Sequence, residues 1–254
     1  MGPLAESTGV EESMIPTMAA SRMSALTIKL MALFVLVSLP ACATSYSALP
    51  ISARVVDADT NEPLADVIVV VEWEYEYHRR EISESLGRGT FEFAETTTNM
   101  NGDFTFPGWG PKEVPRDTPG RAFLGPNNPT LALFKPGYLY EVKTNPLETA
   151  YLDDRNYVGD LVRHSTWNGK AIRLKRKAGD TGEYVLRISH TSGLPGWYNC
   201  NWERIPRMLS ALVNEGERLR AAGIRNYVMR LRDVERSAGE GCRSVKDVLG
   251  PFLK

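Results

Sequence analysis

Cysteine and histidine are the residues best suited to nucleophilic or metal chemistry, and in this chain they are few and scattered. The sequence contains three histidines that lie far apart: His78, His164 and His190. Neither Cys200 nor Cys242 has a second cysteine or a histidine at metal-ligand spacing. Ser189 precedes His190, but no Gly-x-Ser-x-Gly motif accompanies the pair, and adjacency does not define a catalytic triad. The pattern predicts no catalytic residue, no metal site and no cofactor.

The third cysteine, Cys42, follows a short apolar segment, residues 30–41, with Lys29 at its front. The segment is shorter than the roughly 20 residues that span a bilayer and has the length of a signal-peptide core. Its ending, Leu39-Pro40-Ala41-Cys42, resembles a bacterial lipoprotein signal, which implies cleavage and lipidation, with acyl chains such as palmitate, at Cys42. Two alternatives stay open: ordinary cleavage after Ala43, which would give a secreted or periplasmic protein, and a retained helix.

Export also predicts the state of the two remaining cysteines. With Cys42 lipidated, Cys200 and Cys242 form an even pair in an oxidising compartment, which favours a disulfide over two separate thiols. We therefore assign residues 1–42 to a signal peptide, whose start codon could be Met1, Met18 or Met23.

Charge limits the range of partners. Residues 1–42 hold three of the 31 acidic and two of the 30 basic residues, so the mature chain has 28 of each. A chain without net charge has no general attraction to nucleic acid. The expected partners are the membrane, through the lipid anchor, and an envelope protein. We expect the lipid anchor to lie in the outer membrane of the bacterial envelope, with the protein facing the periplasm.

The pattern after residue 42 is that of β-strands. Residues 43–50 are predicted to form a polar tether. Residues 66–77 alternate, with valines and aromatics on one face and a second face that becomes acidic at its far end, at Glu72, Glu74 and Glu76. This acidic row could be a solvated face or could bind a cation. Asn101-Gly102 predicts a tight hairpin, and residues 109–129, rich in proline and glycine, predict a long loop.

The period changes to that of helices in the C-terminal region, residues 179–254. A first apolar stripe comprises Ile205, Met208, Leu209, Leu212 and Leu219. A second comprises Ile224, Tyr227, Val228, Leu231 and Val234. Residues 245–249 could add a short third turn. The arginines between these stripes form either a solvated face or a basic surface for an acidic partner.

Four segments together resemble the carboxypeptidase regulatory-like domain. They are residues 55–58, residues 61–67, Thr98-Asn-Met-Asn-Gly-Asp-Phe-Thr-Phe-Pro107 and Phe134-Lys-Pro-Gly-Tyr138. The resemblance implies a transthyretin-like antiparallel β-sandwich over residues 51–178, and it implies a fold without a reaction. The expected fold class is therefore mainly β with an α-helical appendage, and we expect Val67, Val69, Val71, Phe104, Phe106 and Leu131 or Leu133 to be buried.

Tryptophans near loops offer a surface for a ligand or partner. Trp109, Trp167 and Trp197 could form a platform for carbohydrate or peptide, or could instead cover a small core. The sequence thus favours a non-enzymatic envelope lipoprotein that presents a sandwich for interaction or assembly. A carbohydrate- or peptide-binding module is the alternative, and a hydrolase is the third function class.

Overall fold

The computed structural model describes residues 44–78, 86–115, 122–125, 127–146, 160–177, 179, 181–189 and 200–253. Within these ranges, eleven strands form two packed layers. In chain order the strands are β1 (Ser45–Ala48), β2 (Ile51–Asp57), β3 (Ile68–His78), β4 (Leu86–Thr97), β5 (Asp103–Phe106), β6 (Trp109–Glu113), β7 (Ala122–Leu124), β8 (Thr130–Phe134), β9 (Glu141–Thr144), β10 (Asp160–Arg163) and β11 (Ala171–Leu174). The predicted lipidation site, Cys42, lies outside the described residues, as does Trp197.

The first layer is formed by three segments of the chain. Each segment is interrupted near its middle and so contributes two short strands: β1 and β2, β5 and β6, and β10 and β11. β1 lies between β10 and β6, and β2 lies between β11 and β5, with the same parallel and antiparallel pairing in both halves. Pro50 and Pro107 stand at two of the breaks. Because proline has no N–H to donate, a strand ladder cannot continue through it.

The second layer is a larger sheet of order β4-β3-β8-β9, with β7 paired to the far end of β3. Its inner face packs against the first layer. The residues expected in the core are all buried: Val67, Val69, Val71, Phe104, Phe106, Leu131 and Leu133. The predicted sandwich is therefore confirmed.

The turn between β4 and β5 forms at Asn101-Gly102 as predicted, but the predicted hairpin is wrong in part, because β4 and β5 belong to different layers and do not pair with each other. The Asn99 side-chain oxygen accepts hydrogen bonds from the backbone N–H groups of Asn101 and Asp103, at 2.9 and 3.0 Å. Gly102 has a φ of +74°, and a Cβ there would lie 2.4 Å from the carbonyl oxygen of Val55. Glycine is required at this position both by its backbone conformation and by this close approach.

The helical region covers the outer face of the larger sheet. It comprises α1 (Thr181–Ser189), a 3-10 helix (Asn201–Arg204), α2 (Pro206–Ala221), α3 (Leu231–Ser237), α4 (Val245–Leu249) and a second 3-10 helix (Gly250–Phe252). The first predicted stripe is confirmed, because all five of its residues are fully buried. They share one apolar core with Ile68, Val70 and Phe134 of the sheet, so the molecule has a second core outside the sandwich.

Two predictions for loops are wrong in part. The predicted tether contains β1, where Tyr46 is buried between β6 and β10, both far away in sequence. The predicted loop at residues 109–129 contains β6 and β7. Short strands of this kind are held by pairing with distant segments, which local composition does not reveal.

The second helical stripe is also wrong in part, because the helix begins only at Leu231. The Asn226 side chain donates to the carbonyl oxygens of Gly216 and Ile224 and accepts from the N–H of Val228. Such side-chain bonds to the backbone compete with helical hydrogen bonds. Residues 224–230 are therefore not helical, and Tyr227 is 75% exposed.

Candidate functional site

A cleft of about 1170 Å³ lies where the helical region meets the larger sheet. Its volume is comparable with that of small-molecule sites, which are commonly preformed and mostly apolar. The sheet side supplies Asp66, Ile68, Thr97 and Pro136, and the C-terminal side supplies Leu231, Pro251, Phe252 and Leu253. The cleft thus combines apolar walls with polar groups at its rim.

Helix α2 forms one wall, and five of its lining residues make a regular stripe: Arg207, Ala211, Asn214, Arg218 and Ala221. Their spacing of four, three, four and three residues keeps them on one helical face. The same helix also supplies Val213, Glu215 and Glu217 to the lining. The two alanines leave room between longer polar side chains. The two arginines are 11 positions apart, which corresponds to about 16 Å along the helix.

The two arginines of this wall differ in how far they are neutralised. Arg218 donates two hydrogen bonds to the buried carboxylate of Glu215, at 2.8 and 2.6 Å, and Tyr184 donates a third, at 2.5 Å. Burial alone would raise the pKa of Glu215, but these donors hold it below its ordinary value. Arg207 instead lies 5.3 Å from the ring centroid of Phe252, and its closest approach to the Glu95 carboxylate is 3.8 Å. Arg207 is therefore the less neutralised of the two arginines in this wall.

The carboxylate of Glu95, on β4, caps the start of α2. It accepts hydrogen bonds from the backbone N–H groups of Arg207 and Met208, at 3.1 and 2.7 Å, while Ile205 provides no side-chain cap of its own. Burial raises the pKa of Glu95 to about 7, even though both N–H donors favour the anion. The sandwich thus fixes the position of α2, and with it the cleft wall.

The predicted tryptophan surface does not form an exposed platform over the described residues. Trp109 is half-buried, with its ring centroid 5.4 Å from that of Trp73 and 5.1 Å from that of Phe91. Trp167, between β10 and β11, is also half-buried and packs against the sandwich core. Trp197 lies outside the described residues. Trp109 and Trp167 thus close the edge of the core, which was the competing interpretation of these aromatics.

The predicted disulfide between Cys200 and Cys242 is confirmed. The Cα atoms are 5.1 Å apart, and the bond joins the start of the first 3-10 helix to the chain before α4. Glu203 lies next to both sulfurs and accepts a hydrogen bond from the N–H of Arg243, at 2.7 Å. Over the described ranges, these three residues are the one Cys/His/acid group close enough to share a metal ion, and the disulfide engages both sulfurs.

The acidic row on β3 is less solvated than its alternation suggests. Glu72 is 2% exposed, because the helical region covers this face of the sheet, and it accepts a hydrogen bond from the Thr90 hydroxyl at 2.8 Å. Burial, and then the neighbouring Glu74, raise the pKa of Glu72 to about 8. Glu76 instead lies 3.6 Å from Arg88. The interpretation as a solvated row therefore fails at Glu72.

Sequence reasoning did not find the cleft, although the basic face of the helical region was a partial signal for it. Arg207 and Arg218 belong to that face. Their joint position against Ile68 and Phe252 depends on how three distant segments pack.

Among the described residues, no helix is long and apolar enough to cross a bilayer.

No protein-family model and no curated protein matches the sequence. Among solved structures, a 3-chlorocatechol 1,2-dioxygenase from Rhodococcus opacus 1CP gives a TM-score of 0.28 and 18% identity, covering 55% of this chain and 63% of that one. A 9R-lipoxygenase from Cyanothece PCC8801 gives 0.21 and 12%, covering 85% of this chain and 31% of that one. The chain spans less than two thirds of either protein, and likenesses this weak carry no argument about fold or function.

Proposed function

We propose that the protein is a non-enzymatic lipoprotein of the bacterial envelope, anchored in the outer membrane through Cys42 and facing the periplasm. Its sandwich and helical region would serve recognition or assembly with another envelope protein. The support for the anchor is the apolar segment that ends at Leu39-Pro40-Ala41-Cys42. A secreted or periplasmic protein, cleaved after Ala43, is the alternative location.

The start of β1 sets the distance from the proposed anchor to the sandwich. Ser45 opens β1 only three positions after Cys42, and three residues span at most about 10 Å. A lipid on Cys42 would therefore hold the sandwich next to the membrane surface. The module would have little freedom to reach partners far from the membrane.

The observation that carries the recognition function is the cleft between α2 and the larger sheet. Its wall is fixed by the Glu95 cap and by the core shared with Ile68 and Val70, so it exists before any partner binds. Arg207 supplies a cation beside the apolar ring of Phe252. We infer that a partner inserts an apolar segment with an acidic group into this cleft.

The carbohydrate- or peptide-binding alternative, as built on tryptophans, has less support. Trp109 and Trp167 pack against the sandwich core and offer no shared exposed face. No contact among the described residues favours a hydrolase.

Site-specific photo-crosslinking in intact cells tests the recognition function. A photoreactive residue in place of Asn214, in the cleft wall, should give a crosslinked envelope protein. The same residue in place of Thr105, which is exposed on β5 in the first layer and does not line the cleft, serves as the control and should give none. Equal crosslinking at both positions, or none at position 214, would contradict a partner in the cleft.

A further inference from the structure

Two tyrosine rings lie over two glycines near the outer ends of β3 and β4, next to Leu124 at the edge of the sandwich core. Tyr75 stands opposite Gly89, and Tyr77 stands opposite Gly87. A Cβ on Gly89 would lie 2.2 Å from Cζ of Tyr75, and a Cβ on Gly87 would lie 2.3 Å from Cζ of Tyr77. Each ring therefore occupies the space that a side chain on β4 would fill.

These glycines have a cost that calls for a reason. Glycine in a strand interior weakens the strand, and it is typically found where a ligand or another group approaches the backbone closely. Gly87-Arg88-Gly89 has neither the lysine nor the helix that a phosphate-binding loop needs. Its role in the fold is to seat the two rings.

The seated rings form a short strip, in which one ring is tilted against the other. Their centroids are 6.1 Å apart and their planes differ by 34°, so they lie side by side. Both side chains are only partly buried, so the strip keeps some contact with solvent.

The strip carries no charge of its own. Glu74, Glu76 and their cross-strand neighbour Arg88 lie on the opposite face of the sheet, because successive residues of a strand alternate between faces. On the other side of β3, the residues opposite Tyr77 and Tyr75 are Ala122 and Leu124, which are apolar. A ligand for this strip should be neutral and flat.

We infer that Tyr75 and Tyr77 bind a neutral carbohydrate chain by stacking its sugar rings on the tyrosine rings. The C–H face of a pyranose is flat, apolar and weakly positive, and it complements the negative face of an aromatic ring. A proline-rich peptide, in contrast, docks into aromatic-lined grooves, and the neighbours of the two tyrosines on β7, Ala122 and Leu124, add no aromatic side chain to form such a groove. The inference adds a ligand to the proposed recognition function, and it depends on neither Cys42 nor the cleft.

The test is calorimetric titration of the full chain with cellohexaose and with chitohexaose. Saturable binding to at least one of them is expected. Affinity should fall about tenfold or more in Tyr75→Ala/Tyr77→Ala, since a stacked ring contributes on this scale. Tyr227→Ala, which removes a 75% exposed tyrosine of the helical region, is the matched control and should bind as the parent does.

Three further variants separate stacking from folding. Gly89→Ala keeps both tyrosines but lifts the Tyr75 ring, so it should weaken binding, whereas Gly179→Ala, with no atom within 4 Å, should not. Tyr77→Phe keeps the ring face and should retain binding. Four results would overturn the inference: no saturable binding to either hexaose, parental affinity in the double tyrosine variant, parental affinity in Gly89→Ala, or binding of a proline decamer at the strip in place of sugar.

Discussion

Removing the Cys200–Cys242 disulfide should destabilise the protein by several kcal/mol. The bond closes a loop with a sequence separation of 42 residues. In the chain-entropy model, a cross-link of this span lowers the entropy of the unfolded chain enough to stabilise the fold by about 4 kcal/mol. Since small domains are stable by only about 5–15 kcal/mol, the loss would be a large part of the total.

Urea unfolding of Cys200→Ala/Cys242→Ala, followed by tryptophan fluorescence, measures this loss. Trp202 is fully buried in the helical core two residues after Cys200, so it reports on the region that the bond holds. The parent protein in dithiothreitol is the internal control and should lose the same free energy of unfolding. A variant within about 1 kcal/mol of the oxidised parent, or one that dithiothreitol destabilises further, would refute the reasoning.

Four other substitutions test the two layers, the turn at Gly102 and the buried carboxyl of Glu72. Val69→Asp and Val70→Asp each bury an unpaired charge, on opposite faces of β3. In urea unfolding, the free energy of unfolding of each variant should be lower than that of the parent by about 3 kcal/mol or more. A Val70→Asp variant as stable as the parent would show that the helices do not cover that face. Gly102→Ala should lose about 2 kcal/mol in the same assay, because its φ is +74° and the new Cβ meets a carbonyl oxygen. Glu72 has a raised pKa, about 8 against 4.5. Stability should therefore be greatest below about pH 4.5, as far as this group is concerned, and fall as pH rises toward 8, a slope that Glu72→Gln should flatten in pH-dependent urea unfolding.

The parts of the fold that could be predicted depend on local spacing. Alternation identifies the inner face of β3, the Asn101-Gly102 pair identifies the turn between β4 and β5, and the helical stripe from Ile205 to Leu219 identifies the buried face of α2. The disulfide could be predicted from the expected export and from the even number of cysteines that remains once Cys42 is set aside. Each of these inferences uses residues close together or a rule that ignores distance.

The second core could not be predicted in full, although the sequence held a signal for it. Residues 67–71 are apolar without interruption, which is typical of a strand buried on both faces. What covers the second face is a helix more than 130 positions away, and no local pattern identifies that partner. The same distance hides β1, whose neighbours β6 and β10 follow much later in the chain.

The candidate site is the least predictable part, because it forms only when distant elements pack. Arg207, Ile68 and Phe252 have no spacing in common, yet they line one cleft. The role of the tryptophans could not be predicted for a different reason. Aromatic residues near loops are equally suited to binding a ligand and to closing the edge of a core. Packing decides between these roles, and for Trp109 and Trp167 it favours the core.

The most direct test of the account is the N-terminus of the mature protein, determined by mass spectrometry of protein purified from its native envelope. The account predicts that the chain begins at Cys42 with covalently bound lipid, and that Cys42→Ser abolishes both the lipid and this cleavage. A mature chain that begins at Thr44 without lipid, or a chain that keeps residues 1–41, would contradict the proposed lipoprotein.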